Sequence, residues 1–480
     1  MATEPLVSQV TLWRGRSTRV VLLLSVIAIA GLALLLFDRD QQAVAAPAFV
    51  AGISALVFFA ILAHRSRLLP IDEIGTWYVA AVAVYTILPL AVILALGLSY
   101  TPLNDIRLFN TQPLPGEIAE IGWYYATYLL VFIVTYLYVR GNPVGTAAAL
   151  PPMPRSTVVV VIVLWLLASL FFVVIRQFFD LSAETYWEGY LAVQRLPVLV
   201  RQIYRLVGGV RLVLSLALLV WLFQDRRRWW LIAVWVVCQI VITLTQAGER
   251  TTLMMLIASI LILYHRLVRP LSARNAALLG AVSLSAFLAL GIYRVYRHAE
   301  DPSSFRIAIS ATEFESLFAN SLDIKQRKES SELTNVPIGF YLGEFMSVIP
   351  SQVLPFEKVD PSDWYIGTFY PEAKDRGEGY VLGVVAQSLV GFGWPELMLR
   401  AVVVGVVFGW LHRYYRRKAT RFWVVIGYTW MILWAYDSLR ATTFYILTAF
   451  VQHLLFAILV VELGRAFLVK VVPIKRSVAT

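Results

Sequence analysis

Residues 157–175 read TVVVVIVLWLLASLFFVVI, nineteen residues without a charge, bracketed by Arg155 and Arg176. Crossing the hydrocarbon core of a bilayer takes about 20 apolar residues of helix. A barrel strand would instead alternate apolar and polar residues over about ten positions. In lipid a helix satisfies its own backbone hydrogen bonds, so this run reads as a membrane-spanning helix. Working outward, comparable runs recur at about 20–37, 47–63, 74–99, 121–139, 206–223, 229–246, 252–264, 276–293, 394–411, 422–436 and 443–463. The pattern predicts an all-α polytopic membrane protein of about twelve transmembrane helices, with residues 1–480 as a single transmembrane domain.

Composition agrees with this reading. The 480 residues are 59% hydrophobic and 15% charged, against roughly a quarter charged in average soluble domains. The single cysteine, Cys238, excludes an intrachain disulfide and a cysteine-based metal or redox site. The segment from Met1 to Arg19 leads into an apolar run of full spanning length with no small-residue cleavage site. It is expected to be a retained first helix.

Twelve spans put both termini on one side, and short loops rich in Lys and Arg mark that side as cytoplasmic. With a cytoplasmic N-terminus, that side collects 22 basic residues, in clusters such as Arg226–Arg228 and Arg413–Arg421, against 5 acidic ones. The other side and the outer helix ends keep 19 basic and 25 acidic residues. The net charge of +11 therefore follows membrane topology and gives no reason to expect a nucleic-acid partner. Both termini are expected in the cytoplasm.

Two connections on the outer side stand apart, residues 176–205 and 294–393. Long connections in compact chains are usually functional or disordered. Within the longer one, 305–322 and 340–353 mix apolar and polar residues at helical spacing and read as interfacial or re-entrant helices. Residues 380–393 read as a further helix lying at the outer surface.

Arginine at outer helix ends is the main chemical signal. Arg201, Tyr204, Gly208 and Arg211 fall on one helical face, with Arg205 beside them, and Gly208 and Gly209 suggest room for a ligand near the backbone. Arg211 is expected a turn or more inside the membrane, where a charge is costly and usually functional. Arg250 opens the eighth span, and Arg294, Arg297 and His298 share a face at the end of the ninth. Guanidinium groups bind phosphate through paired hydrogen bonds and remain charged when partly dehydrated. Their convergence would suit a lipid-linked diphosphate; the plain alternative is that each reaches lipid headgroups or pairs with an outer acid. Trp187, Trp364, Tyr365 and Tyr370 are candidate sugar-stacking rings, the alternative being an interfacial aromatic belt. Acid–base candidates are His298 and Glu249, with Glu344 in an apolar segment as a third; Asp437 reads as the partner of Arg440. The spacing yields no metal site, and no cofactor is expected.

Three stretches carry a resemblance. They are TQAGERTTLMML at 245–256, IPSQVLPFEK at 349–358 and QSLVGFGWPE at 387–396, the last followed by Gly405 and Gly409. With the overall architecture, they resemble the bacterial oligosaccharide repeat-unit polymerases, the Wzy-like O-antigen and exopolysaccharide polymerases. Pro395 stands where that family has a glycine nearby. The resemblance implies a metal-independent glycosyltransferase acting on undecaprenyl-diphosphate-linked oligosaccharides at the outer leaflet. Arg250 would be the matching arginine, and membrane lipids, a chain-length regulator and a flippase are the expected partners. An acceptor hydroxyl would attack the donor's anomeric carbon, assisted by His298 or Glu249, while arginines stabilise the departing diphosphate. An O-antigen ligase of the same architecture, a flippase or transporter of lipid-linked oligosaccharides, and a structural membrane subunit are the alternatives.

Overall fold

The computed structural model describes residues 37–66, 70–97, 113–141, 150–179, 181, 186–244, 250–272, 274–275, 278–282, 285, 313–333, 336–349, 353–375, 380–443 and 445–471. These residues form helices and connections, with no strand among them. In chain order the helices are α1 (Arg39–Ser66), α2 (Ile74–Leu96), α3 (Pro115–Arg140), α4 (Arg155–Phe178), α5 (Tyr186–Arg195), α6 (Val198–Phe223), α7 (Trp229–Leu244) and α8 (Arg250–Leu267). Then follow α9 (Glu313–Glu329), α10 (Ile338–Phe345), α11 (Pro361–Phe369), α12 (Pro371–Asp375), α13 (Gly383–Val390), α14 (Trp394–Lys418), α15 (Phe422–Trp434), α16 (Asp437–Arg440) and α17 (Tyr445–Lys470).

Among the described residues, seven helices are long and apolar enough to cross a membrane: α1, α2, α3, α4, α6, α14 and α17. Shorter apolar stretches occupy Trp229–Gln239 in α7 and Met254–Leu267 in α8. This is the architecture of a polytopic membrane protein. The runs at 20–37 and 276–293 lie wholly or mostly outside the described residues.

Local chemistry sets several helix ends. Pro115, Pro361 and Pro395 stand in first turns, where the missing N–H costs nothing. Gly97 and Gly141 follow α2 and α3 with φ of 101° and 66°, a conformation glycine adopts without strain. Pro47 and Pro89 sit inside α1 and α2, as membrane helices tolerate when neighbours satisfy the freed carbonyls.

The closest packing joins α3 to α14. Ala401, Gly405 and Gly409 form a small-residue stripe at four-residue spacing. A Cβ on Gly405 would lie 2.9 Å from the Cβ of Thr135, and one on Gly409 2.9 Å from the Cβ of Val139. Membrane helices gain little hydrophobic drive by associating in lipid, so close backbone approach of this kind supplies dispersion contact instead. α1 and α2 complete this half of the bundle; α4, α6, α8, α15 and α17 form the other half.

Buried polar contacts sort the helix ends into two sets. At one end, the guanidinium of Arg140 grips Glu73 through Nε and Nη2, and Tyr136 donates to the same carboxylate at 2.8 Å. His412 stands 3.8 Å from Glu73 and 2.7 Å from the Tyr428 hydroxyl, while His265 lies 3.9 Å from Asp72. At the opposite end, Arg400 donates to both oxygens of Glu344 at 2.8 Å, to Glu396 at 2.9 Å and to Thr443 at 2.7 Å. Lys325 bridges to Glu120 at 3.2 Å there. The contacts keep the two sets apart, as antiparallel neighbours require.

Several sequence expectations are revised. α6 starts at Val198, eight residues before the apolar run at 206, because its first two turns are polar enough to escape a hydropathy reading. Residues 176–205 are therefore largely helix, with α5 and the first turns of α6 inside that loop. Every residue of α13 is buried against its neighbours, while Phe392 just beyond it is exposed. The helix fills the space between α9 and α14, with the Gln387 side-chain amide donating to the Ala441 carbonyl at 2.6 Å.

Candidate functional site

A cavity of about 610 Å³ opens between α4, α6, α7, α8, α15 and α17. Its wall on α6 runs from Tyr204 to Leu219, roughly 22 Å of helix at 1.5 Å per residue. The order of lining residues along α6 is informative. Arg205 and Arg211 come first, then Ser215, then Leu216 and Leu219. Arg176 at the end of α4 adds a third guanidinium and His453 of α17 an imidazole, and no Asp or Glu is among the described lining residues.

Each cation has an identifiable seat. Arg211 is buried and lies with its guanidinium carbon 4.9 Å from the Phe172 ring centroid, a cation–π contact that strengthens when desolvated. Phe172 also meets Tyr204 edge to face at 4.7 Å. Gly208 makes room for it, since a Cβ there would lie 3.3 Å from the ring. Arg205 is exposed, and the Tyr445 hydroxyl lies within electrostatic reach of it and of Asp360 and Asp437. Arg176 carries a buried Nη1 with no hydrogen-bond partner among the described residues.

His453 belongs to a π-helical turn, Phe450–Leu455, within α17; such turns often occur at functional sites. Its ring fills the volume in front of Gly209, where a Cβ would overlap the imidazole. The space expected for a ligand at Gly209 is thus held by protein, and the ring reaches the cavity only because position 209 has no side chain.

The structure redistributes the candidate residues. Arg205 and Arg211 share the cavity. Arg201 does not line it: its Nη1 donates to the carbonyl and side chain of Gln194 at 2.8 and 3.0 Å, capping α5. Arg250 is the first residue of α8, whose Met255, Leu256 and Ser259 form part of the cavity wall. The side chains of Arg250 and Trp187 lie outside the described residues, as do Glu249, Arg294, Arg297 and His298 altogether.

The aromatic candidates in the longer loop have internal roles, which corrects their assignment to sugar. Tyr365 is fully buried and donates to Asp323 at 2.5 Å. Tyr370 donates to the same oxygen at 2.8 Å and accepts from Arg327 at 3.0 Å. Arg327 grips Asp323 through Nε and lies 4.3 Å from the Phe369 ring centroid. Burial pushes the Asp323 carboxyl up, and Arg327 and the tyrosine hydroxyls pull it back. Trp364 is half-buried, edge to face with Phe340 at 5.0 Å. These rings pin α11 and α12 onto α9. Glu344 is likewise committed to Arg400, which removes it as a free acid or base. Asp437 stands 3.8 Å from Arg440, as its spacing suggests.

Spacing alone does not reveal Arg176 and His453. Arg176 merely ends an apolar run, and a lone histidine inside one reads as core. The signal that singles them out is the convergence of the helices around the cavity. Among the described residues no group of three His, Cys, Asp or Glu is placed to hold a metal ion. No protein-family model matches the chain, and no curated protein or solved structure is significantly similar to it.

Proposed function

We propose that the chain is a bacterial cytoplasmic-membrane glycosyltransferase that extends undecaprenyl-diphosphate-linked oligosaccharides at the outer leaflet, with twelve spans and both termini cytoplasmic. The observation that carries this reading is the cavity: Arg176, Arg205 and Arg211 converge on it with no carboxylate among its described lining residues. A described lining of three cations and no anion favours an anionic ligand. Its walls are otherwise helices of a membrane bundle, so that ligand arrives attached to a lipid. The diphosphate sits among the guanidiniums, and the acceptor oxygen attacks the anomeric carbon. The bond from that carbon to the diphosphate oxygen breaks, its electron pair leaving with the lipid diphosphate. Arginines fixed before the reaction stabilise that growing charge. His453 is the described residue placed to take the acceptor proton.

The test is full-length protein in lipid nanodiscs supplied with lipid-linked repeat units. A ladder of longer glycans is expected, and Arg211→Gln should lower its rate by about 10²–10³, the range for losing one preorganised donor. An unchanged ladder in that variant would remove the cavity from the reaction. Acceptor choice separates polymerase from O-antigen ligase. A lipid-linked oligosaccharide flippase is favoured by one observation: Arg211 lies midway along the 26-residue α6, and transporter sites lie near the midplane. Movement of a fluorescent lipid-linked sugar across liposomes without glycan growth would decide for it.

A further inference from the structure

Besides its three cations the cavity is lined by neutral polar residues: Ser215, Gln239 and Trp235 beyond Arg211, Trp434 between Tyr445 and His453, and Thr448 one turn after Tyr445. Ser215 Oγ accepts from Trp165 at 3.0 Å and from Gln239 at 3.1 Å. With both lone pairs engaged, its own hydroxyl hydrogen is the group left to offer a ligand. Trp235 Nε1, Trp434 Nε1, Thr448 Oγ1 and His453 Nδ1 are buried atoms with no hydrogen-bond partner among the described residues. All four residues line this one cavity, and Trp235 and His453 are 6% and 9% exposed. Unsatisfied buried groups are costly, and native interiors hold few of them. Four around one space indicate a polar ligand that completes them.

That ligand is uncharged and hydroxyl-rich where it meets these groups. Indole N–H groups donate only, and their rings also offer apolar faces, a combination suited to a pyranose ring. The neighbouring face of the same helices supplies the complement. An apolar groove of about 260 Å³ runs over Phe171, Val207, Val210, Leu214 and Ala457. Phe172, Gly208, Arg211, Ser215 and His453, one to four residues away in sequence, line the cavity. A lipid-linked substrate bridging the two would leave its tail outside, its diphosphate at the arginines and its first sugar inside.

We propose that these neutral groups, Trp235 and Ser215 beyond Arg211 with Trp434 and Thr448 beside the arginines, form the subsite for the first sugar on the lipid diphosphate. The proposal rests on the lipid-diphosphate reading above. It makes these groups the part of the protein that tells one reducing-end sugar from another.

The experiment measures binding of two probes to full-length protein in nanodiscs: undecaprenyl diphosphate without sugar, and the same lipid bearing one N-acetylhexosamine. The wild-type protein should bind the sugar-bearing lipid more tightly. Trp235→Phe keeps the ring and removes one donor; Thr448→Val keeps the shape and removes the hydroxyl. Each should weaken the sugar-bearing lipid about tenfold, the scale of one lost hydrogen bond, and leave the sugar-free lipid within twofold. Equal weakening of both lipids, equal wild-type affinity for both, or no effect of either variant would overturn the subsite. Failure of the wild-type protein to bind either lipid would instead overturn the underlying lipid-diphosphate reading, and the subsite with it.

Discussion

The imidazole of His453 occupies the volume that a side chain at Gly209 would need. The two residues lie on α6 and α17, so the glycine sets how closely these helices meet beside the arginines. Gly209→Ala should therefore force the ring away and destabilise the protein by about 1–3 kcal/mol, the usual cost of overpacking. His453→Ala should lower the rate of glycan extension while leaving the helices in place. The double variant should be less unstable than the two single effects added, since removing the ring removes the clash. Thermal unfolding in one fixed detergent, with activity in parallel, checks both; additive effects would mean that the ring is not lodged there.

Most of the bundle was legible because lipid imposes one rule on every spanning segment. Apolar runs such as 157–175 and 394–411 have no alternative to helix, and α4 and α14 cover them. The site was legible only in part. Of the α6 face read from spacing, Tyr204, Gly208 and Arg211 line the cavity with Arg205 beside them, and Arg201 does not. Spacing does not reveal His453 and Trp235, because their role depends on α17 and α7 approaching α6, and one sequence carries no record of that approach. Tyr365 and Tyr370 misled for the converse reason: a polar loop composition hides the buried Asp323 to which both hydroxyls donate.

Arg400 and Glu344 form a buried pair linking α14 to α10. Truncating one partner leaves the other charge uncompensated, which typically costs about 3–5 kcal/mol. Glu396 shares the guanidinium at 2.8 Å, so Arg400→Leu strands two acids and should be the more damaging single change. Glu344→Leu leaves Arg400 with Glu396 and Thr443 and should cost less. Unfolding midpoints of the two variants, measured under one condition, give the ranking; the reverse order would mean that Glu396 contributes nothing.

The hydroxyls of Tyr365 and Tyr370 both donate to one oxygen of Asp323. Tyr365→Phe removes a hydrogen bond to a buried carboxylate and should destabilise by about 1.5–3 kcal/mol, the scale for a bond to a charged group. Sugar affinity should not change, because the ring is enclosed by protein. Titration of the variant with the sugar-bearing lipid, beside a thermal scan, separates these effects. Weaker sugar binding at unaltered stability would restore these tyrosines to the glycan site.

Contacts divide the helix ends into a Glu73 set and a Glu344 set, and the proposed orientation, drawn from the bias of Arg and Lys, puts the first in the cytoplasm. The chain has one cysteine, Cys238, so a Cys238→Ser background carries no thiol. Ser330→Cys, just beyond α9, and Arg417→Cys, in the last turn of α14, replace exposed residues at opposite ends. In intact spheroplasts a membrane-impermeant maleimide should label the cysteine at 330 and spare that at 417; lysed membranes should expose both. Labelling of both in sealed cells would place the two ends on one side, which the length of α14 forbids, and would mean that the membrane does not enclose this bundle as drawn. Labelling of 417 alone would invert the protein and put the arginine cavity at the wrong leaflet for extending an exported glycan.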